Sequence, residues 1–358
     1  MTTGGGSIAV LGAGVVGLAA ADELGRRGHR VTTFDPEPPG TGQSFGRVRA
    51  FRIAHPSAFA VELAVRSLNL WREWERRRDQ PLIRSHGLLI SDPDRAAWAA
   101  AMATHDQPFG LPSRDAAGAC CPLIDPQRLD PETLLIDPQA GAIDTRSTID
   151  WLLASTGDHD WRLVREHVSE VRTQGDGSAA VVTPSGEHRF DAVVVAAGAG
   201  TEALARPLGL QLDTQPAQRT WATMRPRFDV STTAMWMTIL AGHRYAWAQL
   251  GADGAVALSG DWSSNDPEDT SAGSFSAAVD YARTHLPALD PSTARKQETL
   301  VAPVDVPDGK PFAISTRGAI TLVEGNQLFK FAPLLGVLIA DAVGGTPPAG
   351  VPNFAPTN

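Results

Sequence analysis

The chain has 358 residues, 42% of them hydrophobic and 20% charged, with a net charge of −9 and a pI near 5.5. That length supports one large domain or two interleaved ones around a substantial core. The acidic balance argues against nucleic acid or an anionic membrane surface as a partner, and no apolar run is long enough to span a bilayer, so a soluble, cytoplasmic protein is expected.

The first elements form one uninterrupted pattern. Ser7–Leu11 reads as a buried parallel strand, Gly12-Ala13-Gly14-Val15-Val16-Gly17 as a glycine turn, and Leu18–Arg27 as a helix. His29–Phe34 is a second strand ending on Asp35. Gly12 permits a tight turn, Gly14 lets the backbone approach a pyrophosphate, and Gly17 allows close helix–strand packing. The helix N-terminus offers free N–H groups to phosphate, and Asp35 is placed to accept from a ribose diol. NAD and FAD fit this signature equally well. The glycines also account for the apolar start, which lacks the basic n-region of a signal sequence.

Further along, Ser57 is a plausible N-cap for a helix to about Arg78, with Val61, Val65, Leu68 and Trp71 on one face and Arg72–Arg78 forming a solvated end. Leu88–Ile90 reads as a strand, Asp94–Thr104 as a helix, and Pro108–Pro138 as proline-rich turns. Trp161–Val171 and Ala179–Val182 read as a strand pair split by Gln174–Gly177, and Phe190–Gly198 as another buried parallel strand. Gln218–Asp261 alternates like strands, with Gly251–Gly254 as a hairpin turn. Phe275–Leu286 is helical, Ala319–Val323 a strand, and Leu335–Val343 a closing helix. Strands of nucleotide-binding type thus recur near residues 8, 30, 193 and 320, separated by meander-like segments.

Four stretches carry candidate chemistry. Gly42–Arg52 holds Arg47, Arg49 and Arg52 in a glycine-containing loop, able to neutralise phosphates, stabilise an anionic flavin or clamp a carboxylate. Val193–Gly200 ends in a glycine turn suited to close approach of a cofactor. In His243–Trp247, alternation puts Tyr245 and Trp247 on one face. Finally, Phe329-Lys330-Phe331 places one of only three lysines between two phenylalanines, costly to bury without an anionic partner. Trp221, Met224, Trp236, Met237 and Trp247 are candidates to line a large apolar pocket. The adjacent Cys120 and Cys121 fit neither a disulfide framework nor a C-x-x-C site, and no metal site is expected.

Together, Gly12–Asp35, Arg47–Arg52, the Gly198 turn and Phe329–Phe331 resemble, in order and over nearly the whole chain, the FAD-dependent amine oxidases of the D-amino-acid oxidase/glycine oxidase type. They are most similar to the monomeric sarcosine oxidase and N-methyltryptophan oxidase branch. The resemblance implies an α/β chain, α+β overall, in which a Rossmann-like FAD-binding domain (1–83, 141–215 and 300–358) is interleaved with a mostly antiparallel β-sheet substrate domain (84–140 and 216–299).

For the cofactor it implies contacts from Gly12, Ala13, Gly14, Val15, Val16, Gly17, Asp35, Ser44, Val48, Arg49, Val168, Ala197, Gly198, Leu328, Phe329 and Lys330. Arg49 would face the flavin, Arg52 and Lys330 would grip a substrate carboxylate, and Tyr245 would wall the pocket. The implied activity is oxidation of a small amino acid or N-substituted glycine. Hydride would pass from the α-carbon to flavin N5, oxygen would be reduced to hydrogen peroxide, and the imine would hydrolyse. His243 and Asp261 are candidates to tune the amine's protonation, with a structural role for each the simpler reading.

Two departures qualify this. The flavin-linking cysteine of sarcosine oxidases has no counterpart in Glu298–Pro303, so noncovalent FAD is expected. Ala257 takes the place of that branch's oxygen-activating lysine, which leaves a dehydrogenase with another electron acceptor, or a non-catalytic flavin protein, as alternatives.

Overall fold

A computed structural model describes residues 5–352 except 211, 213, 215–216, 240–244, 252 and 261–270. Its centre is a six-stranded sheet in the spatial order Phe312–Arg317, Ile320–Gly325, Ala192–Val195, Ser7–Leu11, Arg30–Phe34, Trp161–Val164, parallel except for the antiparallel Phe312–Arg317 edge. The strand Ser7–Leu11 is buried on both faces, as its unbroken apolar run demands. Ile8 and Val10 face the helices Val15–Arg26 and Ala332–Val343, while Ala9 and Leu11 face a core shared with the three-stranded sheet of Glu170–Thr173, Ala179–Thr183 and Gly186–Phe190. Three layers result.

A second sheet of seven strands runs Leu289–Val301, Ala217–Pro226, Val256–Gly260, Tyr245–Leu250, Met235–Ile239, Leu88–Ser91, Leu134–Asp137. All its pairings are antiparallel except Met235–Ile239 with Leu88–Ser91. Ala222, Met224, Ala248 and Leu258 pack beneath the helix Ser271–His285, whereas their neighbours Trp221, Thr223, Trp247 and Ala257 point the other way, into a cavity. A small sheet, Val48–Phe51, Gly141–Asp144 and Ile83–Arg84, lies beside both and carries the arginine stretch. No helix among the described residues is long and apolar enough to cross a membrane.

Several expectations are corrected. The first helix begins at Val15, so Val15, Val16 and Gly17 belong to its first turn. Trp161–Val171 is not one strand: Trp161–Val164 joins the central sheet, Glu170–Thr173 joins the three-stranded one, and Val168 lies in the connection. The Pro108–Pro138 region contains a helix, Arg114–Cys120, capped by the Ser113 hydroxyl, and the strand Leu134–Asp137. Its prolines fall outside these two elements. The Arg72–Arg78 end is only partly solvated. Arg77 turns inward to the buried Asp22 at 3.3 Å and to Ser155 at 2.7 Å, and Glu75 accepts the N–H groups of Leu82 and Ile83. Met224 and Trp236 pack with the Ser271–His285 helix, and Met237 in the main core, so of the five Trp and Met candidates only Trp221 and Trp247 line the cavity.

Candidate active site

Both large sheets border one cavity of about 630 Å³. It runs from Gly12 and Gly14, at the carboxyl ends of the central strands, past Gly198, to Lys330 and to Arg52 against Trp247. This is where a doubly wound sheet offers a crevice, because the connections leave its central strands toward opposite sides.

The glycine turn is built for close approach. Gly12 has φ +107°, and a Cβ there would lie 2.3 Å from the Ala196 carbonyl oxygen. A Cβ on Gly17 would meet the Gly12 carbonyl at 1.9 Å. The helix Val15–Arg26 starts with no acidic residue in its first turn and with Gly14 as its side-chain-free N-cap, leaving its positive end open to an anion. Asp35 ends the second strand and accepts the Ala13 N–H at 2.7 Å and the Glu37 N–H at 2.9 Å. Ser44 accepts the Val15 N–H at 2.9 Å, docking the arginine stretch on the helix start. A long cavity, a glycine cradle, an open helix terminus and a strand-end acid together fit a dinucleotide such as FAD.

Arg49 is held by the carbonyls of Val48, Gln43 and Phe45 at 2.9, 3.2 and 2.5 Å, with its guanidinium 5.9 Å from the Trp221 ring centroid. Arg52 donates to the Ala54 carbonyl and lies between Trp98 and Trp247, 5.0 and 5.3 Å from their centroids. Burial pushes both guanidinium groups down to about 10, with Asp137 partly opposing this at Arg52. Both therefore stay charged at neutral pH. The Arg52 Nε is buried without a hydrogen-bond partner. Arg47, in contrast, is exposed and pairs with Asp253 at 2.7 Å, a surface contact of small energetic weight.

Lys330 is buried in the short 3-10 turn Leu328–Phe331, its backbone carbonyl accepting from Ser67 at 2.7 Å and Trp71 at 2.8 Å. Its Nζ lies 3.2 Å from His55 Nε2 and 3.4 Å from Gln327 Oε1. Gln327 adopts a left-handed φ of 56°, a conformation that costs a non-glycine residue about 1 kcal/mol. Burial, then the Arg52 charge, drive the Lys330 ammonium well below its ordinary range.

Of the residues expected at the site, Gly12, Gly14, Val15, Val16, Asp35, Ser44, Val48, Arg49, Arg52, Ala197, Gly198, Leu328, Phe329 and Lys330 line the cavity. Ala13 and Gly17 shape it through the contacts above, while Val168 does not border it. The Tyr245 backbone pairs with Ile239, but its side chain, like His243 and Asp261, lies outside the described residues. Ala257 borders the cavity, as do Val301, Ala302 and Pro303. Both cysteines belong to the core beneath the Ser271–His285 helix.

Two residues escaped the sequence reading. His55 contacts Lys330, and Asp137 accepts the N–H groups of Ile53 and Ala54 at 2.7 and 2.9 Å. The one available signal for His55 was its position three residues beyond Arg52.

Known proteins share this fold. Among solved structures, the open form of NikD, described as an unusual amino acid oxidase essential for nikkomycin biosynthesis, is 24% identical with a TM-score of 0.84, the match covering 99% of this chain and 98% of that one. Glycine oxidase from Geobacillus kaustophilus is 20% identical with a TM-score of 0.79, over 99% and 97% of the two chains. L-proline dehydrogenase from P. horikoshii is 19% identical with a TM-score of 0.81, over 97% and 95%. At these identities the likeness establishes the fold. No curated protein matches the chain. The model of the FAD dependent oxidoreductase family matches residues 7–342, and the chain belongs to that family of FAD-dependent enzymes.

Proposed function

We propose that the protein oxidises a small amino acid or N-substituted glycine, with Arg52 and Lys330 gripping the substrate carboxylate. The observation that carries this is two basic side chains, 8% and 5% exposed, that border one cavity and form no salt bridge among the described residues. Unpaired buried cations are costly, and a carboxylate bound between them would offset that cost. Fold relatives described as glycine oxidase and iminodiacetate oxidase are named for substrates that carry such a group.

Gly12, Gly14, Val15, Val16, Asp35, Ser44, Val48, Arg49, Ala197, Gly198, Leu328 and Phe329 would hold FAD, with Ala13 and Gly17 shaping its cradle. When bound, FAD supplies a two-electron acceptor for the amine's Cα–H bond. Arg52 and Lys330 fix the carboxylate and hence the carbon beside it, and Trp221 and Trp247 wall the space and exclude water. The imine product, once released, hydrolyses to an oxo acid and an amine. The cofactor would be carried by 1–83, 141–215 and 300–358, and the substrate by 84–140 and 216–299. The absence of cysteine from the cavity lining supports noncovalent attachment.

Arg52→Met tests the clamp. Substrate affinity should fall at least about a hundredfold, since a buried charge-assisted contact is lost, and unchanged affinity would refute the reading. Oxygen is the proposed electron acceptor, giving hydrogen peroxide. A specific observation favours a second reading, an amine dehydrogenase: Ala257 stands on the cavity wall, and among the described residues Lys330 is the one lysine bordering the cavity.

A further inference from the structure

His55 touches the clamp without entering the cavity. It is 8% exposed and does not border the cavity, yet its Nε2 lies 3.2 Å from the Lys330 Nζ. It sits three residues beyond Arg52, on the stretch whose Ile53 and Ala54 N–H groups are fixed by Asp137 and whose Ala54 carbonyl accepts from Arg52. One short segment therefore reaches both bases of the proposed clamp. An ammonium can only donate, so a charged Lys330 requires His55 Nε2 to be a lone-pair acceptor, with the ring neutral and its proton on Nδ1.

We infer that His55 is the positioning residue of Lys330: it accepts from Nζ and so aims the ammonium into the cavity, where a carboxylate can meet it. The inference rests on the carboxylate clamp proposed above.

Burial and the Arg52 charge disfavour the Lys330 ammonium, while the acceptors His55 Nε2 and Gln327 Oε1 favour it. Burial, then the Arg52 and Lys330 charges, hold the His55 imidazole well below the ordinary histidine range. Arg52 likewise acts on Lys330. The other polar contact to Nζ is the uncharged Gln327 amide, while Ser67 and Trp71, from the helix Ala58–Arg78, bind only the Lys330 carbonyl. Asp137 is committed to backbone N–H groups and acts on Arg52. An incoming carboxylate supplies the missing negative charge and accepts one N–H of the ammonium while His55 Nε2 accepts another.

The test uses flavin-loaded protein titrated with acetate, followed by the flavin absorbance change from pH 6 to 10. His55→Asn, whose shorter amide cannot reach Nζ, should weaken acetate at least about tenfold, the worth of one hydrogen bond to a charged group. The pH above which acetate no longer binds should also move lower. His55→Gln, which restores an acceptor, should recover wild-type affinity to within about threefold. Wild-type affinity and pH profile in His55→Asn, or equal impairment in both variants, would overturn the inference.

If the variants do not take up flavin, nitrogen-15 histidine spectra of the wild-type protein decide. Nε2 should stay unprotonated as acetate binds, and an imidazolium signal would overturn the inference. Lys330→Met separates the two levels. If it loses acetate while His55→Asn does not, only the role of His55 falls. If it binds acetate like the wild type, the clamp falls with it.

Discussion

The Asp137 carboxylate accepts the Ala54 N–H at 2.9 Å while the Ala54 carbonyl accepts from Arg52, so one peptide segment links a buried acid to a buried base with no direct ion pair between them. Asp137 also takes the N–H groups of Ile53, Gln139 and Ala140, at 2.7, 3.0 and 3.2 Å. It fastens the arginine stretch to the end of the Leu134–Asp137 strand.

Asp137→Ala should therefore leave several buried N–H groups without acceptors, at about 1–3 kcal/mol each before relaxation. The expected outcome is a loss of at least about 3 kcal/mol in denaturant unfolding, together with weaker carboxylate binding because Arg52 is no longer held. A variant as stable as the wild type would show that the four contacts carry no net weight.

Glu324 gives a pH-dependent expectation. It is 3% exposed, its Oε2 has no hydrogen-bond partner, and desolvation pushes its carboxyl from 4.5 up to about 8, with the Thr201 hydroxyl and the Gly325 N–H partly opposing this. A folded-state value raised above the unfolded one contributes stability that is present below about pH 4.5 and lost as pH rises through about 8. Glu324→Gln cannot ionise, so its stability relative to the wild type should grow by roughly 5 kcal/mol between pH 4 and pH 9, following the size of that shift. Urea unfolding at the two pH values measures this, and a pH-independent difference would contradict it.

Gly12→Ala places a Cβ 2.3 Å from the Ala196 carbonyl oxygen at a φ of +107°. Because the obstacle is backbone, it cannot rotate away. Purified Gly12→Ala protein should contain little flavin, whereas Gly157→Ala, away from the cavity and where a Cβ meets nothing within 4 Å, should retain it. Equal flavin content in the two would show that the turn does not cradle the cofactor.

The flavin should leave with the supernatant when the protein is precipitated with acid. Ala302 and Pro303 border the cavity, while Cys120 and Cys121 lie in the separate core beneath the Ser271–His285 helix. Colour retained in the pellet would mean a covalent link through some other side chain.

The cofactor half of the site was legible because its signals are local. Gly12, Gly14, Gly17 and Asp35 fall within two strands, a turn and a helix, and each obeys a short-range rule of backbone geometry. Arg52 and Lys330 could be paired only through the family resemblance, since 278 residues separate them. The His55–Lys330 and Asp137–Ala54 contacts join positions 275 and 83 residues apart through geometry that no local pattern encodes. The pocket wall was half read. Alternation puts Trp221 and Met224 on opposite faces, but which face meets the cavity depends on where the Ser271–His285 helix packs. The Trp161–Val171 stretch was misread because strand propensity continued across a break imposed by two different sheets.

The central claim is that the substrate is an amine recognised by its carboxylate. The most direct measurement is anaerobic bleaching of the bound flavin by N-substituted glycines and amino acids, each beside its carboxamide. At least one carboxylate should bleach the flavin, with a rate at least about a thousandfold lower for its amide, because Arg52 and Lys330 would then face a neutral group. Equal bleaching by acid and amide would contradict it.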